Sequence, residues 1–111
     1  MDKKKNIITE RENKVLSLIG RGKKKAITVK EIISIIGGTD EEIRTIVRRL
    51  IETHGCLIGS SNSVGSRGYY FPATLEEKEE AVGKMENRAA EIYKRANIMR
   101  SLPLVDKDIT A

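Results

Sequence analysis

Hydrophobic residues recur at helical spacing in four separate stretches of this chain, and the same four-residue phrase introduces each one. Thr-x-x-Glu stands at Thr9 to Glu12, Thr28 to Glu31, Thr39 to Glu42 and Thr74 to Glu77. At a helix start the Thr hydroxyl accepts from an otherwise unpaired amide of the first turn, while the Glu reaches back to the amide of the capping residue. Four helices are therefore predicted. The first covers 10–19, with Val15, Leu16 and Ile19 on one face and Gly20 ending it. The second, 29–36, carries Ile32, Ile33, Ile35 and Ile36 and is expected to be buried on more than one side, with Gly37 and Gly38 making a tight turn after it. The third, 40–54, places Ile43, Ile46, Val47, Leu50 and Ile51 on one stripe, and Gly55 stops it. The fourth runs over 75–100, with Gly83 in its interior.

Three short stretches read as strands: 26–27, 56–60 and 68–71. Tyr69, Tyr70 and Phe71 favour extended backbone and Pro72 closes the run. Successive strand residues face opposite ways, so one of Tyr69 and Tyr70 belongs in the core and the other is partly exposed. The order helix, short strand, helix, helix, strand, loop, strand, long helix describes an α+β, mostly α fold. It is that of a winged helix-turn-helix with a small antiparallel β-hairpin wing and a long C-terminal helix. The second and third helices form the turn pair, and Ser61 to Arg67 form the wing. The expected organisation is a winged domain over 1–73, a dimerisation helix over 74–100 and a flexible tail over 101–111.

Within residues 39–100, Ile43, Arg44, Val47 and Leu50 are followed by Ile58, Ser60, Ser61, Gly68, Tyr69 and Tyr70, and then by Arg88, Ala89, Ile92, Lys94, Arg95 and Ala96. In these positions the chain resembles small winged-helix proteins encoded in phages and prophages of Gram-positive bacteria. The resemblance implies a DNA-binding fold and supports the fold more than a particular job.

Charge sharpens this picture. Residues 1–73 hold 14 Lys or Arg against 8 acids, a net of +6, while residues 74–111 hold 7 against 8. A basic first part favours a polyanionic partner, although a solvated lysine-rich surface is nearly as common. The single cysteine, Cys56, excludes an internal disulfide and suits a reducing cytosol. No apolar run reaches membrane-spanning length, and MDKKKNIITERE lacks the apolar segment of a signal peptide. The expected location is the cytoplasm of a bacterial host, on the nucleoid when bound to DNA.

The expected partner is double-stranded DNA. The third helix offers Arg44, Thr45, Arg48 and Arg49 on the side away from its apolar stripe, where Arg can fork onto guanine or bridge a phosphate. Solvation of an exposed helix is the plainer alternative for Arg44 and Arg48, and groove contact by at least one of them is the expectation. Lys23, Lys24 and Lys25 read as a mobile basic loop, Thr28 and Lys30 as a phosphate site at the start of the second helix, and Arg67 as a minor-groove contact from the wing. Asp40, Glu41 and Glu42 oppose this reading, because they set three acids at the helix end that inserts most deeply. The alternative is a protein-protein interaction module, an adaptor or inhibitor, with those acids as its contact patch. An enzyme is the weakest reading. His54, the only histidine, stands at a helix end where it caps or is solvated, Cys56 packs in a strand, and neither a metal-ligand spacing nor a cofactor motif is visible.

In the fourth helix Val82, Met85, Ala89, Ile92, Ala96 and Met99 are spaced 3, 4, 3, 4, 3. Such a seam wants a partner helix, either an antiparallel second copy or the first helix of its own domain. The SLPL of the tail, from Ser101, is similar to the end of the peptides with which bacterial replication proteins hold the sliding clamp, which implies a replication-protein partner.

Overall fold

The computed structural model describes residues 7–106. The lysines at 3–5 and positions 107–111 of the expected tail lie outside the described residues. The elements in order are α1 (Glu10–Leu18), a turn of 3-10 helix (Lys23–Lys25), α2 (Val29–Ile36), α3 (Asp40–Glu52), β1 (Gly59–Ser61), β2 (Gly68–Tyr70) and α4 (Leu75–Ser101). Among the described residues the fold is α+β and mostly helical, with four helices and a two-stranded antiparallel hairpin, compatible with a small winged-helix-like arrangement.

All four expected caps form on the threonine side. The hydroxyls of Thr9, Thr28, Thr39 and Thr74 accept from the amides of Glu12, Glu31, Glu42 and Glu77. Only Glu12 and Glu31 return the bond, to the amides of Thr9 and Thr28. Glu42 turns to the guanidinium of Arg11, and Glu77 to the amides of Ala73 and Lys23. A charge-assisted bond to arginine is stronger than one to a neutral amide, which accounts for the open box at α3.

The core is aliphatic. Val15 and Ile19 meet Ile32 of α2 and Ile43, Ile46, Val47 and Leu50 of α3, with Ile58 closing one side. Burying such a side chain fully stabilises the fold by about 1.5–3 kcal/mol. Because the apolar stripe of α3 faces both α1 and α2, its opposite side is left to solvent.

Several boundaries differ from the sequence reading, each for a local reason. α1 ends at Leu18, and Ile19 is already extended, which carries its side chain into the core. α3 ends at Glu52 rather than 54, and the Cys56 amide donates to the Leu50 carbonyl at 2.9 Å. Residues 56–58 thus lead out of the helix instead of pairing, and β1 starts only at Gly59. α2 is not buried all round: Ile32 is fully buried, but Ile35 is 59% exposed, because an eight-residue helix packed along one side turns one isoleucine outward. Lys23–Lys25 form an ordered 3-10 turn, not a mobile loop.

The hairpin pairs Gly59 with Tyr70, Ser60 with Tyr69 and Ser61 with Gly68. The short strand expected at 26–27 is reduced to a bridge between Ile27 and Tyr69, with reciprocal amide bonds of 2.9 and 2.8 Å. A second bridge joins Arg21 to Phe71. Gly68 permits this approach: its φ is +116°, and a Cβ there would run into the Ile27 carbonyl. Tyr70 is fully buried and Tyr69 is half-buried against the core, the alternation expected of neighbouring strand residues.

The chain forms two compact units that divide inside α4, between Ala81 and Val82. The first therefore takes in the opening turns of α4, beyond the boundary after residue 73 read from the sequence. Lys23 holds this part of α4: its amide donates to Glu77 Oε2 at 3.3 Å, and its ammonium donates to Glu80 Oε1 at 2.5 Å. The second unit is the remainder of α4, which Gly83 does not interrupt, followed by residues without regular structure from Pro103 to Asp106. None of the helices is long and apolar enough to cross a membrane among the described residues.

Candidate nucleic-acid interface

The solvent side of α3 gathers three of the expected contacts. Arg44, Thr45 and Arg48 are exposed and line one shallow open groove of about 440 Å³ together with Asp40 and Glu41. Residues 44 and 48 are one helical turn apart, so their guanidinium groups emerge side by side. Arg44 lies 3.8 Å from Asp40 in an exposed pair, worth little in water and readily exchanged for another anion.

The acids at the start of α3 are less forbidding than their sequence suggests. Glu42 is gripped by Arg11, with Nε 3.2 Å from Oε2 and Nη2 2.9 Å from Oε1. The hydrogen bond from Arg11, with its charge, holds the Glu42 carboxyl below the usual range. Arg11 also donates to the carbonyls of Ile36 and Gly37, at 2.8 Å each, and so fastens the turn between α2 and α3 to α1. Gly38 completes the turn, since at its φ of +106° a Cβ would collide with both the Glu42 carboxylate and the Arg11 guanidinium.

Arg49 has a different destination. Its Nε is 2.7 Å from Oε2 of Glu12, whose side chain is 5% exposed. The other oxygen of Glu12 accepts from the Thr9 amide and faces Nε2 of His54 at 3.2 Å. A carboxylate only accepts, so the His54 Nε2 carries the proton in this contact. Burial works against the Glu12 charge, but the Thr9 amide, Arg49 and His54 together outweigh it and hold its pKa below the ordinary value. His54 is therefore neither a solvated residue nor a plain cap: its side chain is 3% exposed and ties the exit of α3 to α1. Cys56 packs against the core after the helix has ended.

The remaining expected residues divide. Lys23 is occupied by Glu80, and that hydrogen bond raises its pKa, keeping it charged but engaged. Thr28 spends its hydroxyl and its amide on Glu31, so the phosphate site expected at the start of α2 is filled by the helix's own carboxylate. Lys24, Lys25, Lys30 and Arg67 are exposed. The Ile27–Tyr69 bridge brings the strand residue after Arg67 against the start of α2, so the hairpin loop and Lys30 belong to one neighbourhood.

No family model, curated protein or solved structure matches this chain. The functional reading thus rests on its own residues. Sequence reasoning missed Arg11, Glu12 and the buried role of His54. For Arg11 a signal existed, since a Gly-Gly turn leaves helix-end carbonyls that need a donor. For the Glu12, Arg49 and His54 cluster no local signal existed, because its members meet only through the packing of α1 on α3.

Proposed function

We propose that this chain is a double-stranded DNA-binding protein of the winged helix-turn-helix kind. In this reading α2 and α3 are the turn pair, α3 enters the major groove and the loop between β1 and β2 is the wing. The observation that carries it is the row of Arg44, Thr45 and Arg48 on the open side of α3, held outward by a fully apolar stripe behind it. Arg can fork onto a guanine edge or bind phosphate, and Thr can donate to a backbone oxygen or touch a thymine methyl. Exposed Lys24, Lys25, Lys30 and Arg67 add positive charge from the first unit. Capture of Glu42 by Arg11 removes one source of phosphate repulsion at the tip of α3. The task that goes with this reading is control of transcription or replication in a phage or prophage.

A duplex-binding titration over a salt series tests the reading, with Arg44→Ala and Arg48→Ala beside the parent. Weaker binding with a smaller salt slope, by about 0.9 per lost phosphate contact, assigns these residues to the backbone. Loss confined to one sequence assigns them to bases. Unchanged binding in both variants overturns the proposal and gives this surface to a protein partner.

A further inference from the structure

α4 carries an apolar seam that is exposed along its length among the described residues. Val82, Met85, Ala89, Ile92, Ala96 and Met99 follow one another at alternating spacings of 3 and 4, and α4 has no buried residue. Met85 is 65% exposed and Met99 69%. A solitary surface helix has no reason to keep a heptad of this kind, whereas a helix that pairs does.

We infer that the seam pairs with the same seam of a second copy, running antiparallel and centred between Ala90 and Glu91. Side-chain size is the first reason. Val82, Ala89 and Ala96 occupy one core position of the heptad and Met85, Ile92 and Met99 the other. Antiparallel helices set one kind of position against the other. Val82 then faces Met99 of the second copy, Met85 faces Ala96, and Ala89 faces Ile92, so each alanine meets a large side chain. Parallel pairing sets Ala89 on Ala89 and Ala96 on Ala96, which leaves two layers underfilled.

Charge is the second reason. Residues 75–87 hold five Glu and two Lys, and residues 88–100 hold Arg88, Lys94, Arg95 and Arg100 against Glu91. The halves carry −3 and +3, and antiparallel pairing sets them against each other. At the centre it also brings Arg88 beside Arg95, so the attraction comes from the outer turns, where Glu79 meets Arg100. Parallel pairing sets like on like along the whole length and places Arg95 beside Arg100. The seam from Val82 to Met99 spans roughly 26 Å at 1.5 Å per residue, enough for a reversible dimer that depends on concentration. Each copy's first unit joins the pair at an opposite end. The inference rests on α4 alone and stands or falls without DNA.

Sedimentation of the full chain over a concentration series, with no DNA present, tests association, and disulfide trapping in a Cys56→Ser background tests direction. The parent is expected to pass from monomer to dimer as concentration rises, and Met85→Glu with Ile92→Glu to remain monomeric at the highest concentration. Mixed Val82→Cys and Met99→Cys chains are expected to yield a covalent dimer on mild oxidation, while either variant alone gives several-fold less. A parent that is monomeric throughout overturns the inference, and so does a dimer that survives the double glutamate variant. Efficient trapping of Val82→Cys with itself overturns the antiparallel direction, because those positions are then side by side.

Discussion

Arg49 reaches back from α3 to the buried Glu12 of α1, with 2.7 Å between Nε and Oε2, while its neighbour Arg48 lines the open groove. Adjacent arginines thus have separate tasks, one tying α3 to α1 and one facing the groove. Arg49→Ala is expected to lower stability by about 1 kcal/mol, since the half-exposed guanidinium is partly screened and Glu12 keeps two other partners. Arg48→Ala is expected to leave stability within about 0.5 kcal/mol of the parent while weakening duplex binding several-fold. Urea unfolding and a duplex titration on the same two variants separate these outcomes.

Glu12 also sets an expectation for acid. Its folded pKa is below the ordinary carboxylate value, so folding gains from its charge above the unfolded pKa of about 4.3, and that gain is lost as pH falls through the folded value. Glu31 and Glu42 are lowered as well, by the Thr28 amide and by Arg11 respectively, but both are exposed and add less. Glu12→Gln is expected to cost about 2 kcal/mol near neutral pH, because the buried His54 and the Arg49 guanidinium lose their anion. The gap between variant and parent should narrow steadily below about pH 4. Stability curves taken by denaturant titration at stepped pH check this, and a gap independent of pH would remove the charge from the explanation.

Local signals in the sequence were sufficient for what depends on neighbours in the chain. The four threonine caps, the stripe from Ile43 to Leu50 and the alternation of Tyr69 and Tyr70 are all set within a few residues, and each appears in the structure. What depends on distant residues was not legible. Nothing near Glu42 announces that Arg11 will draw it out of its capping box, whereas the capping box read at Thr28 to Glu31 already set a carboxylate on the amide offered to a phosphate. The strand start failed for the same reason: Cys56 to Ile58 have strand-like side chains, but the Leu50 carbonyl claims the Cys56 amide first. Of the surface residues, Arg44, Thr45 and Arg48 share one helix face by spacing alone, whereas the diversion of Arg49 and Lys23 is a property of tertiary packing.

Gly68 is the residue on which the hairpin's attachment turns. With φ at +116° and the Ile27 carbonyl where a side chain would begin, Gly68→Ala combines an unfavourable backbone conformation with a backbone collision. The expected loss is about 2–3 kcal/mol. The reciprocal bonds between Ile27 and Tyr69 should open first, so the amides of these two residues are expected to lose hydrogen-exchange protection ahead of the core amides of α3. Equal protection in variant and parent would show that the bridge does not need this glycine.

Glu41 provides a test of the groove that is independent of removing its arginines. Of the three acids at the start of α3, Glu42 is held by Arg11 and Asp40 has Arg44 3.8 Å away, while Glu41 lines the same groove as Arg44 and Arg48. A carboxylate there lowers the local potential that a phosphate would meet, an effect that reaches about 10 Å at 0.1 M salt and shrinks as salt rises. Glu41→Gln keeps the shape and removes the charge. It is expected to tighten binding to arbitrary duplexes by about 2- to 5-fold at low salt, with the gain fading as salt rises. One duplex would behave in the opposite way if Glu41 accepts from a cytosine amino group, since the glutamine variant would bind that sequence more weakly while binding all others more tightly. A variant indistinguishable from the parent on every duplex and at every salt concentration would mean that nucleic acid does not approach this end of α3.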